Sequence, residues 1–139
     1  MAYDIDDLLY LMARLRDPRD GCPWDLKQSY ATIAPSTLEE AYEVVDTIER
    51  DDLDHLQEEL GDLLFQVIFY SQLAREEQRF DFSQVVSDLV AKLVRRHPHV
   101  FPDGTLQSRA STTGENPARV KQRWGAMEQQ SRSARGAEG

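Results

Sequence analysis

Residues 59–70 of this 139-residue chain read Glu-Leu-Gly-Asp-Leu-Leu-Phe-Gln-Val-Ile-Phe-Tyr. The second part of this stretch, residues 63–70, is apolar nearly all the way round a helix, which is typical of a buried helix. His55, just before the stretch, and Glu59, Asp62 and Gln66 within it follow one another at helical spacing and form a single polar lane. Carboxylates on a buried helix are costly unless they are paired or bind a metal. The stretch therefore predicts a central helix that carries an acidic functional site.

The residues that precede this stretch in the sequence also show helical periodicity. A first helix is predicted, with an apolar face that runs from Ile5 to Leu15 and an end before Asp17-Pro18. A turn-rich loop follows over residues 20–25. A second helix is predicted to begin at Ser36, because Ser36 and Glu39 form the S-x-x-E pattern of a capping box. We expect its apolar stripe on the packed side of the helix, and this stripe consists of Leu38, Ala41, Tyr42, Val45 and Ile48.

Two more long helices follow. The central helix is expected to run from about His55 to Gln78, after a short acidic turn. The next helix begins at Asp81, with Gln84 as the second member of another capping box. Pro98 ends this helix, because the residue before a proline avoids helical backbone angles.

The pattern as a whole predicts an all-α protein, with one domain over residues 1–130. We expect a small helical bundle of four main helices plus a short C-terminal helix that opens at Asn116-Pro117. Residues 131–139 are small and polar, so they are expected to form a frayed tail. Four or five helices of this length do not cover an apolar central helix, which favours packing as a homodimer.

Composition excludes several classes of protein. Sixteen Lys and Arg residues against 25 Asp and Glu residues give a formal charge of −9. This argues against non-specific nucleic-acid binding, which needs a basic surface. The single cysteine, Cys22, excludes an intramolecular disulfide and a cysteine-based zinc cluster. The longest apolar run is shorter than the roughly 20 residues that span a bilayer. With an acidic N-terminal segment, these features predict a cytoplasmic protein without a membrane partner.

Acidic side chains concentrate on the second and central helices. Glu39 and Glu43 share one strip of the second helix, and Glu40 lies one step round from them. Glu59 and Asp62 are spaced i, i+3 and point the same way. If the two helices are antiparallel, the Glu40/Glu43 group can face this pair. Hard oxygen donors without cysteine suit Mg²⁺ or Mn²⁺, and such a site is a usual receiver for a polyphosphate.

A basic cluster interrupts this acidic chain. Lys92, Arg95 and Arg96 recur at i, i+3 and i+4 near the end of the fourth helix. Guanidinium groups match the geometry of phosphate oxygens. The helix dipole also favours cations in a last helical turn, so a purely structural role stays open.

These residues resemble the MazG-type nucleoside triphosphate pyrophosphohydrolases of the all-α NTP pyrophosphatase superfamily. The hallmark of that family is E-E-x-x-E, a spacer and E-x-x-D, which here is Glu39-Glu40-x-x-Glu43 and Glu59-x-x-Asp62. Three other segments are similar to the family and stand in the same order, at residues 14–18, 21–25 and 95–101. The resemblance runs from about Leu8 to Phe101, with a weaker tail to Trp124.

The resemblance implies hydrolysis of an NTP or dNTP to the monophosphate and pyrophosphate. It implies Mg²⁺ held by Glu40, Glu43, Glu59 and Asp62, with Glu39 completing the catalytic group. It also implies a homodimer at least. Substrate contacts are implied at Glu39, Lys92, Arg95, Arg96 and the aromatic side chain that maps to Trp124.

Two other interpretations remain open at this point. The chain resembles the first of two tandem domains in many family members, and it carries His55 where some family domains carry a lysine. It could therefore be a catalytically weak nucleotide-binding or dimerisation module. A ferritin-like di-iron bundle also uses carboxylates on facing helices, but it needs two E-x-x-H pairs. The only carboxylate-x-x-histidine here is Asp52 to His55, in a predicted turn.

Overall fold

A computed structural model of the protein describes residues 2–110 and 117–138, with side chains as far as residue 132. Within these ranges the protein is all-α and contains no strand, which confirms the predicted fold class. The six helices are α1 (Ile5–Leu15), α2 (Pro23–Leu26), α3 (Tyr30–Glu49), α4 (Leu53–Glu76), α5 (Phe82–Arg96) and α6 (Pro117–Glu138). None of the helices in these ranges is both long enough and apolar enough to cross a bilayer.

The chain divides into two compact units, Met1–Val85 and Val86–Gly139. The first unit contains α1 to α4 and the first residues of α5. The second unit contains the rest of α5 and α6. The acidic lane of the sequence lies in the first unit, and the basic cluster lies in the second.

Local signals fix the first two helices. Asp4 and Asp7 form a reciprocal capping box at the start of α1, whose bounds match the prediction. Pro23 opens α2, a single helical turn in a segment for which the sequence predicts only a loop. Between these helices the chain folds back tightly at Gly21. A Cβ atom there would lie 2.4 Å from the carbonyl oxygen of Leu15, so the turn requires glycine.

The predicted start of the second long helix at Ser36 is wrong. That helix, α3, begins at Tyr30, and its cap is Ser29, which exchanges hydrogen bonds with Thr32 in a capping box. The helix continues through Pro35, whose missing N–H only deprives the helix of one backbone hydrogen bond near its N-terminal end. Glu39 therefore lies in the interior of α3, and its predicted capping role is excluded.

Helix α4 carries the core of the first unit, with α3 and α1 packed against it. Met12 of α1 and Ile33 of α3 are buried with Ile68, Phe69 and Leu73 of α4. The helix spans Leu53–Glu76, slightly earlier in the chain than predicted.

One side of α4 is exposed, although the sequence predicts burial nearly all round. Leu60, Leu64 and Val67 are 48, 39 and 39 % exposed. The apolar stripe of α3 is also largely at the surface. The row of α3 side chains that faces α4 is a different one, and it includes Thr37 and Glu40. We call the exposed set of Leu38, Tyr42, Val45, Leu60, Leu64 and Val67 the apolar face.

Arg16 joins three helices of the first unit. Its Nε and Nη2 atoms donate to the Glu76 carboxylate at 3.0 and 2.6 Å, and Nη1 donates to the carbonyl oxygen of Asp25 at 2.7 Å. The Arg16 side chain is only 11 % exposed. Bidentate pairs of this kind are geometrically specific, so this contact ties α1 and α2 to the end of α4.

Helix α5 follows the prediction, and α6 departs from it. The capping box of Asp81 and Gln84 is confirmed, and α5 ends at Arg96, before Pro98. Helix α6 is longer than the short helix predicted, since it continues to Glu138 through residues assigned to a frayed tail. The predicted cap residue Asn116 lies outside the described residues.

Candidate functional site

The site is built on the face that α3 and α4 turn towards each other. The short connection between the helices makes them antiparallel, as predicted. Thr37, early in α3, contacts Gln66 and Tyr70, late in α4. Glu40, one helical turn further along α3, therefore comes opposite the earlier residues Glu59 and Asp62 of α4.

Three carboxylates meet at this point. One oxygen atom from each of Glu40, Glu59 and Asp62 lies within 4.8 Å of the other two. Glu40 and Glu59 are half-buried, whereas Asp62 is exposed, so the group opens to solvent. We call these three residues the carboxylate cluster. No histidine or cysteine belongs to it in the part of the chain that the structure describes, which does not fit a di-iron site of the E-x-x-H type.

The cluster is electrostatically unfavourable without a cation. Partial burial, with the charges of Asp62 and Glu59, raises the pKa of Glu40. Partial burial also raises the pKa of Glu59, and the charges of Glu43 and Asp62 add to the effect. Both shifts have the sign expected where several carboxylates share one site without a counter-charge.

The donor chemistry of the cluster fits a hard divalent cation. Carboxylate oxygens from two helices converge at a separation that one ion can bridge. Mg²⁺ is held in proteins by one or two carboxylates, and it keeps waters that leave room for a phosphate. Because the cluster is open on the Asp62 side, a ligand oxygen can reach such an ion.

The remaining predicted acids lie beside the cluster. Glu43 is exposed and is not one of the three converging carboxylates, but its charge raises the pKa of both Glu40 and Glu59. Glu39 is exposed on α3, and its charge also raises the pKa of Glu40. The structure thus brings together three of the four predicted metal ligands, Glu40, Glu59 and Asp62. The remaining acids of the motif, Glu39 and Glu43, lie near this cluster.

His55 stands one helical turn before Glu59 and forms its own pair. Its Nδ1 atom lies 2.7 Å from Oδ2 of Asp52, which raises the pKa of His55. Arg50 also reaches Asp52, with Nη1 at 3.4 Å from Oδ2. The imidazole is 65 % exposed, so the pair lies at the surface of this acidic region.

The predicted substrate-binding cations have different environments in the second unit. Arg95 is exposed and lines a groove of about 630 Å³ with mostly apolar residues, and Lys92 is half-buried. Arg96 forms an ion pair with Glu128 of α6, with Nη1 and Oε1 2.5 Å apart. Trp124 donates from Nε1 to the carbonyl oxygen of Arg96 at 2.6 Å and lies edge-on to His97.

The sequence did not reveal one polar contact of the site. The hydroxyl of Thr37 lies 2.9 Å from Oε1 of Gln66 and 2.5 Å from the hydroxyl of Tyr70. Gln66 belongs to the predicted polar lane. Thr37 lies on another helix, and Tyr70 ends an apolar run of α4, so the sequence pattern indicated neither residue as part of this contact. The available signal was the spacing of Thr37 and Glu40, which continues the polar lane on α3.

Known proteins share this pattern. A family model described as the MazG nucleotide pyrophosphohydrolase domain matches residues 28–101. The nucleoside triphosphate pyrophosphohydrolase of Escherichia coli K12 is 54% identical over 129 residues, which are 93% of this chain and 46% of that protein. The nucleoside triphosphate pyrophosphohydrolase/pyrophosphatase MazG of Thermotoga maritima is 45% identical over 98 residues, 70% of this chain and 38% of the relative.

A more distant relative is the nucleoside triphosphate pyrophosphohydrolase of Mycobacterium tuberculosis, which is 35% identical over 97 residues, 68% of this chain and 29% of the relative. The chain thus spans less than half the length of each of these curated relatives. The matched range contains both halves of the E-E-x-x-E and E-x-x-D motif and all three residues of the carboxylate cluster. The chain therefore belongs to the family of MazG nucleotide pyrophosphohydrolase domains.

Proposed function

We propose that the protein is a cytoplasmic, Mg²⁺-dependent enzyme that hydrolyses nucleoside triphosphates to the monophosphate and pyrophosphate. The observation that carries this proposal is the carboxylate cluster, in which Glu40, Glu59 and Asp62 converge from two helices. Family membership supports the reaction type, since the relatives named above are pyrophosphohydrolases. The substrate class comprises NTPs or dNTPs, and a role in removing abnormal nucleotides is compatible with it.

In this proposal the carboxylate cluster binds Mg²⁺, and Glu43 assists from its neighbouring position. A divalent ion held there would neutralise phosphate oxygens and make a coordinated water more acidic. The chain's own residues supply the anchoring charge, and partial burial together with the neighbouring carboxylates raises the pKa of Glu40 and of Glu59. Mn²⁺ offers similar ligand chemistry and is the alternative ion.

Glu39 is the acid that we propose as the proton acceptor. It is exposed on α3 and lies next in sequence to Glu40, but it is not one of the three converging carboxylates. A water oxygen bonds to phosphorus, the anhydride bond between the α- and β-phosphates breaks, and Glu39 takes a proton from the water. The pyrophosphate leaves as the other product.

The basic cluster is the proposed phosphate-binding element. Arg95 is exposed and Lys92 is half-buried, so their charges can be offered to a ligand. Arg96 must exchange its ion pair with Glu128 before it can bind a phosphate. Trp124 is the proposed aromatic contact, with its Nε1 already committed to the Arg96 carbonyl.

We further propose that a second copy of the chain covers the apolar face. Each of α3 and α4 has one row of side chains that faces the other helix and one exposed apolar row. On both helices, the apolar row is rotated about the helix axis from the facing row by roughly 120–150°, in the direction in which the helix winds from its N-terminus. In an antiparallel pair, equal offsets put both rows on the same side. Two copies that meet through this side bury large apolar side chains in a self-complementary contact, which is the commonest arrangement of dimers.

The deciding experiment assays monophosphate and pyrophosphate release from a panel of canonical and modified NTPs and dNTPs with Mg²⁺. We expect both products from at least one member, and a loss of orders of magnitude in Glu59→Gln and Asp62→Asn. Glu49→Gln is the matched control, because Glu49 is an exposed acid of α3 outside the cluster. Wild-type turnover in either cluster variant would disprove the metal site. Binding without any turnover by the wild type would instead identify a nucleotide-sensing module.

A further inference from the structure

A buried carboxamide lies beside the carboxylate cluster. Gln66 is only 8 % exposed, although its side chain is polar. It stands one helical turn after Asp62 on the lane of α4 that faces α3. Its hydrogen-bond partner on the facing helix, Thr37, stands one turn before Glu40 on α3. The carboxamide and the cluster are therefore neighbours along the interface of α3 and α4, about 5 Å apart by helical rise.

The hydrogen bonds around Gln66 run in one direction. The hydroxyl of Thr37 donates to Oε1 of Gln66 at 2.9 Å. A threonine hydroxyl has a single hydrogen, and the carbonyl oxygen of Ile33, at 3.4 Å, is a second and more distant acceptor for it. With that hydrogen directed to Oε1, Thr37 accepts at its 2.5 Å contact with Tyr70, and the Tyr70 hydroxyl donates. This arrangement uses both hydroxyl hydrogens and turns the oxygen of the carboxamide towards Thr37. The Nε2 end of Gln66 consequently points away from Thr37.

The two Nε2 hydrogens have no acceptor among the residues that the structure describes. The side-chain hydrogen bond of Gln66 goes through Oε1. The only side-chain nitrogen or oxygen that is sealed from solvent without a partner, in the same residues, is Nε of Arg96. Nε2 of Gln66 is thus reachable from outside, although the residue is more than nine-tenths buried. A water molecule or a ligand oxygen can therefore accept from it.

We propose that Gln66 is a substrate-binding residue, whose Nε2 donates a hydrogen bond to an oxygen of the bound nucleotide. This inference rests on the proposed function. Thr37 and Tyr70 are positioning residues, because their hydroxyls fix which end of the carboxamide faces the ligand. A neutral donor next to three carboxylates attracts an anionic or carbonyl oxygen without competing for the metal ion. The acceptor is either a phosphate oxygen or an oxygen of the base or sugar.

The test measures affinity without turnover. A non-hydrolysable nucleoside triphosphate, with a methylene group between the α- and β-phosphates, is titrated by calorimetry in the presence of Mg²⁺. Gln66→Met keeps the length of the side chain but removes the donor, and we expect affinity to fall about tenfold, the usual effect of one hydrogen bond to a charged group. Thr37→Val should weaken binding less, and Thr37→Ser, which keeps the hydroxyl, should restore it.

The unfolding free energy of each variant is measured in parallel. A purely structural role for Gln66 predicts lower stability with unchanged affinity of the folded protein, and that result would overturn the inference. Inorganic tripolyphosphate serves as a second probe. Weaker binding of both probes to Gln66→Met identifies a phosphate oxygen as the acceptor. Weaker binding of the nucleotide alone identifies the base or sugar.

The same titrations separate this inference from the function on which it rests. A wild-type protein that binds neither probe contradicts both the proposed function and the role of Gln66. Wild-type binding that Gln66→Met leaves unchanged contradicts the role of Gln66 only. Tyr70→Phe provides a further check, because loss of the hydroxyl should weaken nucleotide binding in the same direction as Thr37→Val.

Discussion

Glu40 of α3 and Asp62 of α4 approach each other within 4.8 Å, oxygen to oxygen, and the third member of their group, Glu59, is also acidic. Each belongs to a different half of the sequence motif. Their like charges repel, which is one reason why the pKa of Glu40 is raised. A bound cation would relieve this repulsion, so we expect the stability of the protein to depend on metal.

We expect Mg²⁺ to stabilise the protein against heat. A ligand at a hundredfold excess over its Kd adds about 2.7 kcal/mol to the unfolding free energy. Glu59→Gln should lose most of this increment, while the metal-free variant should be at least as stable as the metal-free wild type, because one repelling charge is gone. Thermal denaturation with and without Mg²⁺ measures both effects. In the control Glu49→Gln the increment should be unchanged, and an equal increment in Glu59→Gln would contradict the site.

His55 should titrate at a higher pH than an ordinary histidine. Asp52, whose carboxylate lies 2.7 Å from Nδ1, is the main cause of its raised pKa, and the charges of Glu58 and Asp54 add to it. The pair therefore contributes stability that is fully present below the pKa of unfolded histidine and is lost as pH rises through the folded value. NMR titration of the imidazole measures this pKa directly. Asp52→Asn should lower it, and an unchanged pKa would show that the pair does not form.

The contact between Arg16 and Glu76 should matter more than surface ion pairs. Arg16→Ala removes the ionic partner of Glu76 and leaves the Asp25 carbonyl oxygen with only the backbone N–H of Gln28, at 3.3 Å. Because Glu76 is 35 % exposed, we expect a loss of about 2 kcal/mol, less than for a fully buried pair. Urea unfolding measures the change. Arg50→Ala is the matched control, since Arg50 and Asp46 are both more than half exposed and such pairs contribute well under about 1 kcal/mol.

Charge on the apolar face should disrupt the proposed dimer. Tyr42 and Leu64 are 67 and 39 % exposed, and Tyr42→Glu with Leu64→Glu places four like charges in a two-fold contact. Sedimentation at micromolar concentration should give a dimer for the wild type and a monomer of 16.0 kDa for the double variant. Leu106→Glu is the control, because Leu106 is a 56 % exposed apolar residue outside the apolar face. A monomeric wild type would rule out the dimer.

The sequence alone determined the helical class, the antiparallel pair and the acids of the site. Apolar residues at helical spacing leave few other ways to bury them, and the Asp81–Gln84 box and Pro98 fixed the ends of α5 because caps and prolines act within a few residues. The spacing of Glu59 and Asp62 on one helix needed no tertiary information. Apolar periodicity, helix caps and the spacing of residues on one helix depend on neighbouring residues only, so each can be inferred from a single segment.

Only the tertiary structure decided which faces meet and which capping pattern is used. Ser36 and Glu39 match a capping box as well as Ser29 and Thr32 do, and the helix begins at the earlier one because Ile33 packs into the core. The apolar stripe of α3 is exposed because α3 instead turns Thr37 and Glu40 towards the polar lane of α4. That choice depends on the combined burial of two helices, and it creates the contact between Thr37 and Gln66 that neither segment encodes by itself.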